Sequence, residues 1–270
     1  MKLIALLMGM ACFAQLGFAE EGYPRVLPAK DVHSALNRIL ATAPRVLAVG
    51  EQHQTNKTAN IPSAIKRFTK DFLPQLRKAG ATDLVVETWL STGKCGEEEK
   101  QAVAEVETTT ERPKATENEV LTLIVSAKGM GMIPRVLEVK CQDYQAFGKG
   151  GDVDYDKLLK FTGDQLRVQI EKAINRPNSQ MVVSYGGALH NDLQPMEELA
   201  SYAFAPTIAS AVQGSFVELD LYVPEYLGKD NLARTSAWYP LVGKKTGLVL
   251  IQRGPGSYVL VFPKGRRRGL

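Results

Sequence analysis

Cysteine and histidine are scarce in this chain, and long apolar runs are scarcer still. It has 3 cysteines in 270 residues, Cys12, Cys95 and Cys141, and no two of them are spaced Cys-x-x-Cys, which argues against a zinc knuckle or a thioredoxin-type redox site. Beyond the N-terminal segment, no stretch reaches the roughly 18 consecutive apolar residues of a membrane-spanning helix, so no transmembrane span is expected. An excess of charge is missing too. There are 33 basic and 29 acidic residues, a net of +4, and part of that sits in the terminal cluster Lys264, Arg266, Arg267 and Arg268. That is too weak and too local for a nucleic-acid partner. With 44% hydrophobic and 23% charged residues the chain has the make-up of an ordinary folded protein with one sizeable core.

The first residues carry an address. Lys2 is a short positive region, residues 3–13 are almost wholly apolar, and Gly17-Phe18-Ala19 supplies the small residues that signal peptidase needs. Cleavage after Ala19 is expected, leaving a single mature domain over residues 20–270 that is secreted or periplasmic. Cys12 follows Ala11, as a lipoprotein cysteine would, but the leucine usual three positions before it is missing, which makes a lipid anchor the lesser expectation. Cys95 and Cys141 then remain as the mature cysteines. Both fall just past strand-like runs that can be sheet neighbours, and in an oxidising compartment they either pair or stay as two free thiols.

From residue 31 onward, helical and strand-like patterns alternate, which predicts an α/β fold. The central sheet is expected to be mixed but largely parallel, flanked by helices, with a C-terminal antiparallel hairpin. Strands are predicted at 45–49, 83–89, 135–140, 180–185, 215–223, 247–252 and 258–262, with the last two joined by the turn-forming Arg253-Gly254-Pro255-Gly256. Helices are predicted after the cap Asp31, from Asn60 or Ser63 to Lys78, over 121–127, over 156–175 and after Pro195. Residues 93–119, rich in Glu, Thr and Lys, read as a solvated helix-and-loop insertion.

In such a sheet, ligands bind beyond the carboxyl ends of the strands, where successive loops converge. The unusual polar residues gather there: Gly50-Glu51-Gln52-His53 after the first strand, Glu87-Thr88 after the second, Gln142-Asp143 after the third and Gly187-Ala188-Leu189-His190 after the fourth. Two of the chain's 3 histidines are in this set. A glycine at the strand end permits an abrupt turn and close backbone approach. The imidazole three residues on can ligate a metal or take a proton, and Glu51 and Glu87 can ligate or orient it. His33, on an amphipathic helix with no such neighbours, reads as a surface or packing residue. Asp152-Val153-Asp154-Tyr155-Asp156 lacks the glycine and glutamate of a calcium loop and reads as a helix cap. Gly243-Lys244-Lys245-Thr246-Gly247 lacks the context of a phosphate loop and reads as a turn. Trp89 and Trp238 are candidates for a pocket wall or for the core.

These residues carry a resemblance. Val46-Leu47-Ala48-Val49-Gly50-Glu51-Gln52-His53, Val85-Val86-Glu87 and Ser184-Tyr185-Gly186-Gly187-Ala188-Leu189-His190 resemble the strand motifs of the superfamily that joins ChaN-type haem-uptake proteins, Tiki and TraB-type proteases, and erythromycin esterases. The three segments are spread over residues 45–225. The resemblance implies a site of Glu51, His53, Glu87 and His190, as catalytic groups or as ligands of a divalent metal such as zinc, manganese or iron. It implies hydrolysis, either through a metal or by His and Glu activating water directly, with a small-molecule or peptide substrate. The ChaN branch implies haem or iron binding instead, with Tyr222 or Tyr226 as an axial ligand. A degenerate, non-catalytic binding domain is the third alternative. The insertion at 93–119 matches nothing in that superfamily, so substrate identity does not carry over.

Overall fold

A computed structural model describes residues 22–264 except 150–151, 229–230 and 244–246. The segment expected to be a signal, Cys12, Arg266, Arg267, Arg268 and the middle of the Gly-Lys-Lys-Thr-Gly segment therefore lie outside the described residues. The strands are β1 (Arg25–Leu27), β2 (Val46–Glu51), β3 (Ala81–Thr92), β4 (Ile133–Lys140), β5 (Gly148–Lys149), β6 (Asp152–Val153), β7 (Met181–Gly187), β8 (Phe216–Tyr222), β9 (Val249–Gly254) and β10 (Ser257–Val261). Apart from β5 and β6, which form a small ladder of their own, they make one 8-stranded sheet in the order β1-β9-β10-β8-β2-β7-β3-β4. The six strands from β10 to β4 in that order are mutually parallel, and β9 runs against both of its neighbours. The sheet is thus mixed and largely parallel, with the expected antiparallel pair at the C-terminus.

The helices are α1 (Val32–Leu40), α2 (Ala64–Arg67), α3 (Leu73–Lys78), α4 (Gly96–Thr110), α5 (Ala115–Gly129), α6 (Cys141–Phe147), α7 (Tyr155–Ile174) and α8 (Ala205–Ala211), with two short ones near 224 and 231. Alternation along each parallel strand sends side chains to two apolar layers. On one face Leu47, Val49, Leu84, Val183 and Leu219 pack against Leu36 and Ile39 of α1, Leu73 and Leu76 of α3 and Leu123 of α5. On the other, Val46, Ala48, Val85 and Val182 pack against Leu166 and Ile170 of α7 and Ile208 of α8. Because both faces are covered, the central strands read as nearly continuous apolar runs.

Local chemistry explains most boundaries. Asp31 accepts from the Ser34 amide at 2.8 Å, and the Ser34 hydroxyl accepts the Asp31 amide, a reciprocal cap that starts α1. Asp154 caps α7 through the Lys157 amide at 3.2 Å, so the aspartate run serves as a cap. The helix expected from Ser63 to Lys78 is not continuous: α2 and α3 are joined by a π-helical turn, Phe68–Phe72. Pro74 follows at once, and since it has no N–H for the carbonyl four residues earlier, the ladder widens there instead of breaking. The segment 93–119 holds α4, a short turn and the start of α5, and α5 takes in the helix predicted at 121–127. Most of that segment is exposed, and the two helices turn only a narrow apolar stripe inward, including Ala102 and Leu123.

Cys95 and Cys141 are disulfide-bonded, their Cα atoms 4.9 Å apart. Thr92 pairs with Lys140 in the β3/β4 register, so the two cysteines leave adjacent strands side by side. At the amino-terminal end of the same two strands, fully buried Asp83 is held by Arg176 at 2.7 Å and Arg135 at 3.3 Å. Among the described residues, no helix is long and apolar enough to cross a membrane.

Candidate active site

The carboxyl ends of β2, β3, β7 and β8, together with the hairpin of β9, open into one cavity of about 1690 Å³. That exceeds the roughly 300–1,000 Å³ of ordinary small-ligand pockets. Glu51, His53, Glu87 and His190 all line it. Glu51 is the last residue of β2 and is buried, and its Oε1 lies 3.0 Å from Nδ1 of His53. The other Glu51 oxygen accepts the hydroxyl of Tyr185, which comes from the neighbouring strand β7. Burial and the Glu51 charge push the Tyr185 phenol well above its ordinary range, so it stays a donor. With Glu51 fixed, Nδ1 of His53 is the natural donor and Nε2 keeps its lone pair. His53 is 32% exposed, and its Nε2 lies 3.9 Å from Oε1 of Glu87.

Glu87 reaches this place through a break in the ladder. Val86 pairs with Val136 and Trp89 with Leu137, so Glu87 and Thr88 oppose no residue of β4. The bulge bends β3 and re-aims Glu87 towards β7. There its Oε2 accepts the Gly187 amide at 2.6 Å. Burial opposes its charge, but His190, His53 and Arg112, with that amide, outweigh burial and hold its pKa below the ordinary carboxylate value.

The glycines have a reason beyond turning. A Cβ on Gly186 would stand 2.4 Å from Oε2 and 2.8 Å from Cβ of Glu87, and one on Gly187 would stand 2.9 Å from Nε2 of His53. Glycine clears the volume that the two catalytic candidates occupy. Gly50 does the same for a second set, since a Cβ there would stand 2.5 Å from both Asn191 Oδ1 and Asp220 Oδ1. His190 is buried, and its Nδ1 lies 2.8 Å from the Tyr202 carbonyl, which leaves Nε2 as its free nitrogen.

The four predicted residues are therefore brought together, but not as ligands of one ion. Among the described residues, no three His, Cys, Asp or Glu side chains converge as a metal would require. His53 and His190 each commit Nδ1 to a protein acceptor and keep Nε2 free. The haem candidates separate. Tyr222 lines the cavity, packed on Trp238 with ring centroids 5.0 Å apart, whereas Tyr226 belongs to the main core and is outside the cavity wall. Trp89 and Trp238 both line the cavity, and Trp238 is buried as well. His33 is at the surface, with Nδ1 2.6 Å from Gln75 Oε1.

Sequence reasoning missed two groups. One is Glu218, Asp220 and Arg253, which line the same cavity from β8 and β9. Arg253 pairs with Glu218 and lies 3.1 Å from Asp220. Burial, only partly offset by Arg253, raises Glu218 to about 8 and Asp220 to about 6. In the strand pattern they stand out only as two acids in an otherwise apolar run. The other is Arg112, on the turn between α4 and α5, which also lines the cavity. Nothing in its sequence context marks it.

Fold and site together define the class: a three-layer α/β protein with a histidine–carboxylate centre at the carboxyl edge of a parallel sheet. No protein-family model and no curated protein matches the chain. Among solved structures, it is similar to the type III effector HopBA1, with a TM-score of 0.48 and 13% identity over 90% of this chain and 97% of that one. A likeness that slight carries no functional weight.

Proposed function

We propose that this protein is a secreted or envelope-located hydrolase, of the kind implied by its resemblance to the ChaN, Tiki and erythromycin-esterase superfamily, in which His53 activates water directly. The observation that supports it most is the Tyr185–Glu51–His53 relay. One Glu51 oxygen is anchored by a phenol that stays protonated, and the other, 3.0 Å from Nδ1, holds the imidazole with Nε2 free. A carboxylate in this position orients the base and stabilises the imidazolium that forms.

The 3.9 Å gap between Nε2 and Glu87 Oε1 can be spanned by one water lying about 2.8 Å from each. As the water oxygen bonds to an ester carbonyl carbon, its proton passes to Nε2. When the ester C–O bond breaks, that proton passes to the departing alkoxide, giving an acid and an alcohol. Glu87, already bonded to the Gly187 amide, keeps the water in line. His190 lines the same cavity with its Nε2 free.

The test is hydrolysis of 4-methylumbelliferyl esters by the mature protein, with His53→Ala and Glu51→Gln alongside. His53→Ala is expected to lose about 10²- to 10⁴-fold in kcat, with an unchanged far-UV CD spectrum and no effect of chelators on the wild type. A rate indifferent to His53→Ala, or a Soret band on haem titration that His190→Ala abolishes, would overturn the reading.

A further inference from the structure

We infer that Arg112 is the anchor for an anionic group of the substrate, so that the cavity selects amphiphiles with a carboxylate or phosphate at one position and an apolar segment at another. The inference rests on the hydrolase reading for its reaction, but not for its binding. Arg112 is half-buried in the cavity wall. Its Nε is buried with no hydrogen-bond partner, and among the described residues its guanidinium has no ion pair at contact distance. A desolvated guanidinium donor without an acceptor is costly, and such groups call for an explanation.

The arginine is also deliberately placed. α4 ends at Glu111 in a left-handed conformation, φ 47°. The Glu111 carbonyl accepts the Asn56 amide at 2.8 Å, and its carboxylate pairs with Lys57 at 3.4 Å. Both partners lie on the loop that follows His53, so the turn bearing Arg112 is docked onto the candidate base. Its charge is felt at Glu87, yet it forms no contact pair there, which leaves the planar fork free for a bidentate anion. Lys114 lines the cavity two residues further on.

The apolar half comes from the rim. Leu90, Leu121, Met196 and Leu232 all line the cavity, and each is more than half exposed. Large side chains of this kind, clustered at a cavity mouth, mark a binding surface. They suit an acyl or alkyl chain, while the volume of about 1690 Å³ accommodates it at length.

The experiment compares two esters with one leaving group, 4-methylumbelliferyl heptanoate and the hemipimelate, which differ only in a terminal carboxylate. The wild type is expected to favour the hemipimelate in kcat/KM by about 10- to 100-fold, the range of a charge-assisted hydrogen bond. Arg112→Gln should bring the ratio near one, Arg112→Lys should keep part of it, and the exposed control Lys100→Gln should keep all of it. On the wild type alone, octanoate or octyl phosphate should inhibit far better than octanol, and the stronger of the two identifies the anion. A ratio near one in the wild type, or one unmoved by Arg112→Gln, would overturn the inference. If neither ester is hydrolysed, the hydrolase reading fails, and binding still decides this one. Octanoate should then quench Trp89 and Trp238 fluorescence with a Kd at least 10-fold weaker in Arg112→Gln, and equal Kd values would refute it.

Discussion

Gly186→Ala, compared with Gly129→Ala, isolates what the site demands of its glycines. Both replacements remove the same backbone freedom from the unfolded chain, so that contribution cancels between them. At Gly129, the last residue of α5, a Cβ meets nothing within 4 Å, and φ is not in the left-handed region. Gly129→Ala should therefore stabilise by about 0.5–1 kcal/mol. At Gly186 the new Cβ would stand 2.4 Å from Oε2 and 2.8 Å from Cβ of Glu87. The carboxylate end can swing away, but only by giving up its bond to the Gly187 amide. The Glu87 Cβ can retreat only if the bulge in β3 moves. Overpacking of this kind costs about 1–3 kcal/mol, and the displaced charge-assisted bond adds about 1.5–3 kcal/mol. The two variants should thus differ by at least about 2 kcal/mol in urea denaturation followed by far-UV CD, with Gly186→Ala the weaker. Glu87→Ala on the Gly186→Ala background removes the carboxylate and should recover part of the loss, a coupling of about 0.5–3 kcal/mol in the double-mutant cycle. Equal stability of the two alanine variants would show that Glu87 does not lie against Gly186, and the site geometry would fall with it.

Two further outcomes follow from the same structure. Glu218 is raised to about 8 from an ordinary 4.5, first by burial, so between those values the folded chain holds a proton that the unfolded chain has released. Stability from this group is therefore fully present below about pH 4.5 and is lost as pH rises through 8. Glu218→Gln should flatten that decline in urea midpoints measured from pH 5 to 9, and an unchanged slope would place the proton elsewhere. The Cys95–Cys141 bond closes a sequence separation of 46 residues, for which chain entropy gives about 4 kcal/mol. Cys141→Ser should lower the denaturation midpoint, with the greatest gain in amide exchange at the start of α4 and in α6. Exchange that rises uniformly would contradict a tether confined to that corner.

Much of this architecture was legible in the chain because it is written in short-range signals. The apolar runs at Val46–Val49 and Met181–Tyr185, the glycines that end them and the caps Asp31 and Asp154 each act within a few residues, and each lies where local propensity predicts. Glu51, His53, Glu87 and His190 could be gathered on one edge because parallel strands send their carboxyl ends the same way. The π-turn at Phe68–Phe72 escaped because a proline's effect on a helix depends on whether surrounding contacts let the ladder widen. What α4 packs against could not be read locally, because its narrow apolar stripe meets Tyr144 and Phe147, about 40 residues on in the chain.

By itself, then, the sequence determined the alternation of elements, the parallel sheet and the edge on which polar residues collect, since all of these follow from periodicity and backbone chemistry. Only the tertiary structure decided what that edge is. The β3 bulge aims Glu87 at the Gly187 amide, Tyr185 on β7 anchors Glu51 on β2, and the docked α4–α5 turn sets Arg112 in the cavity wall. These are meetings between segments far apart in the chain, and no local pattern encodes a distance across space.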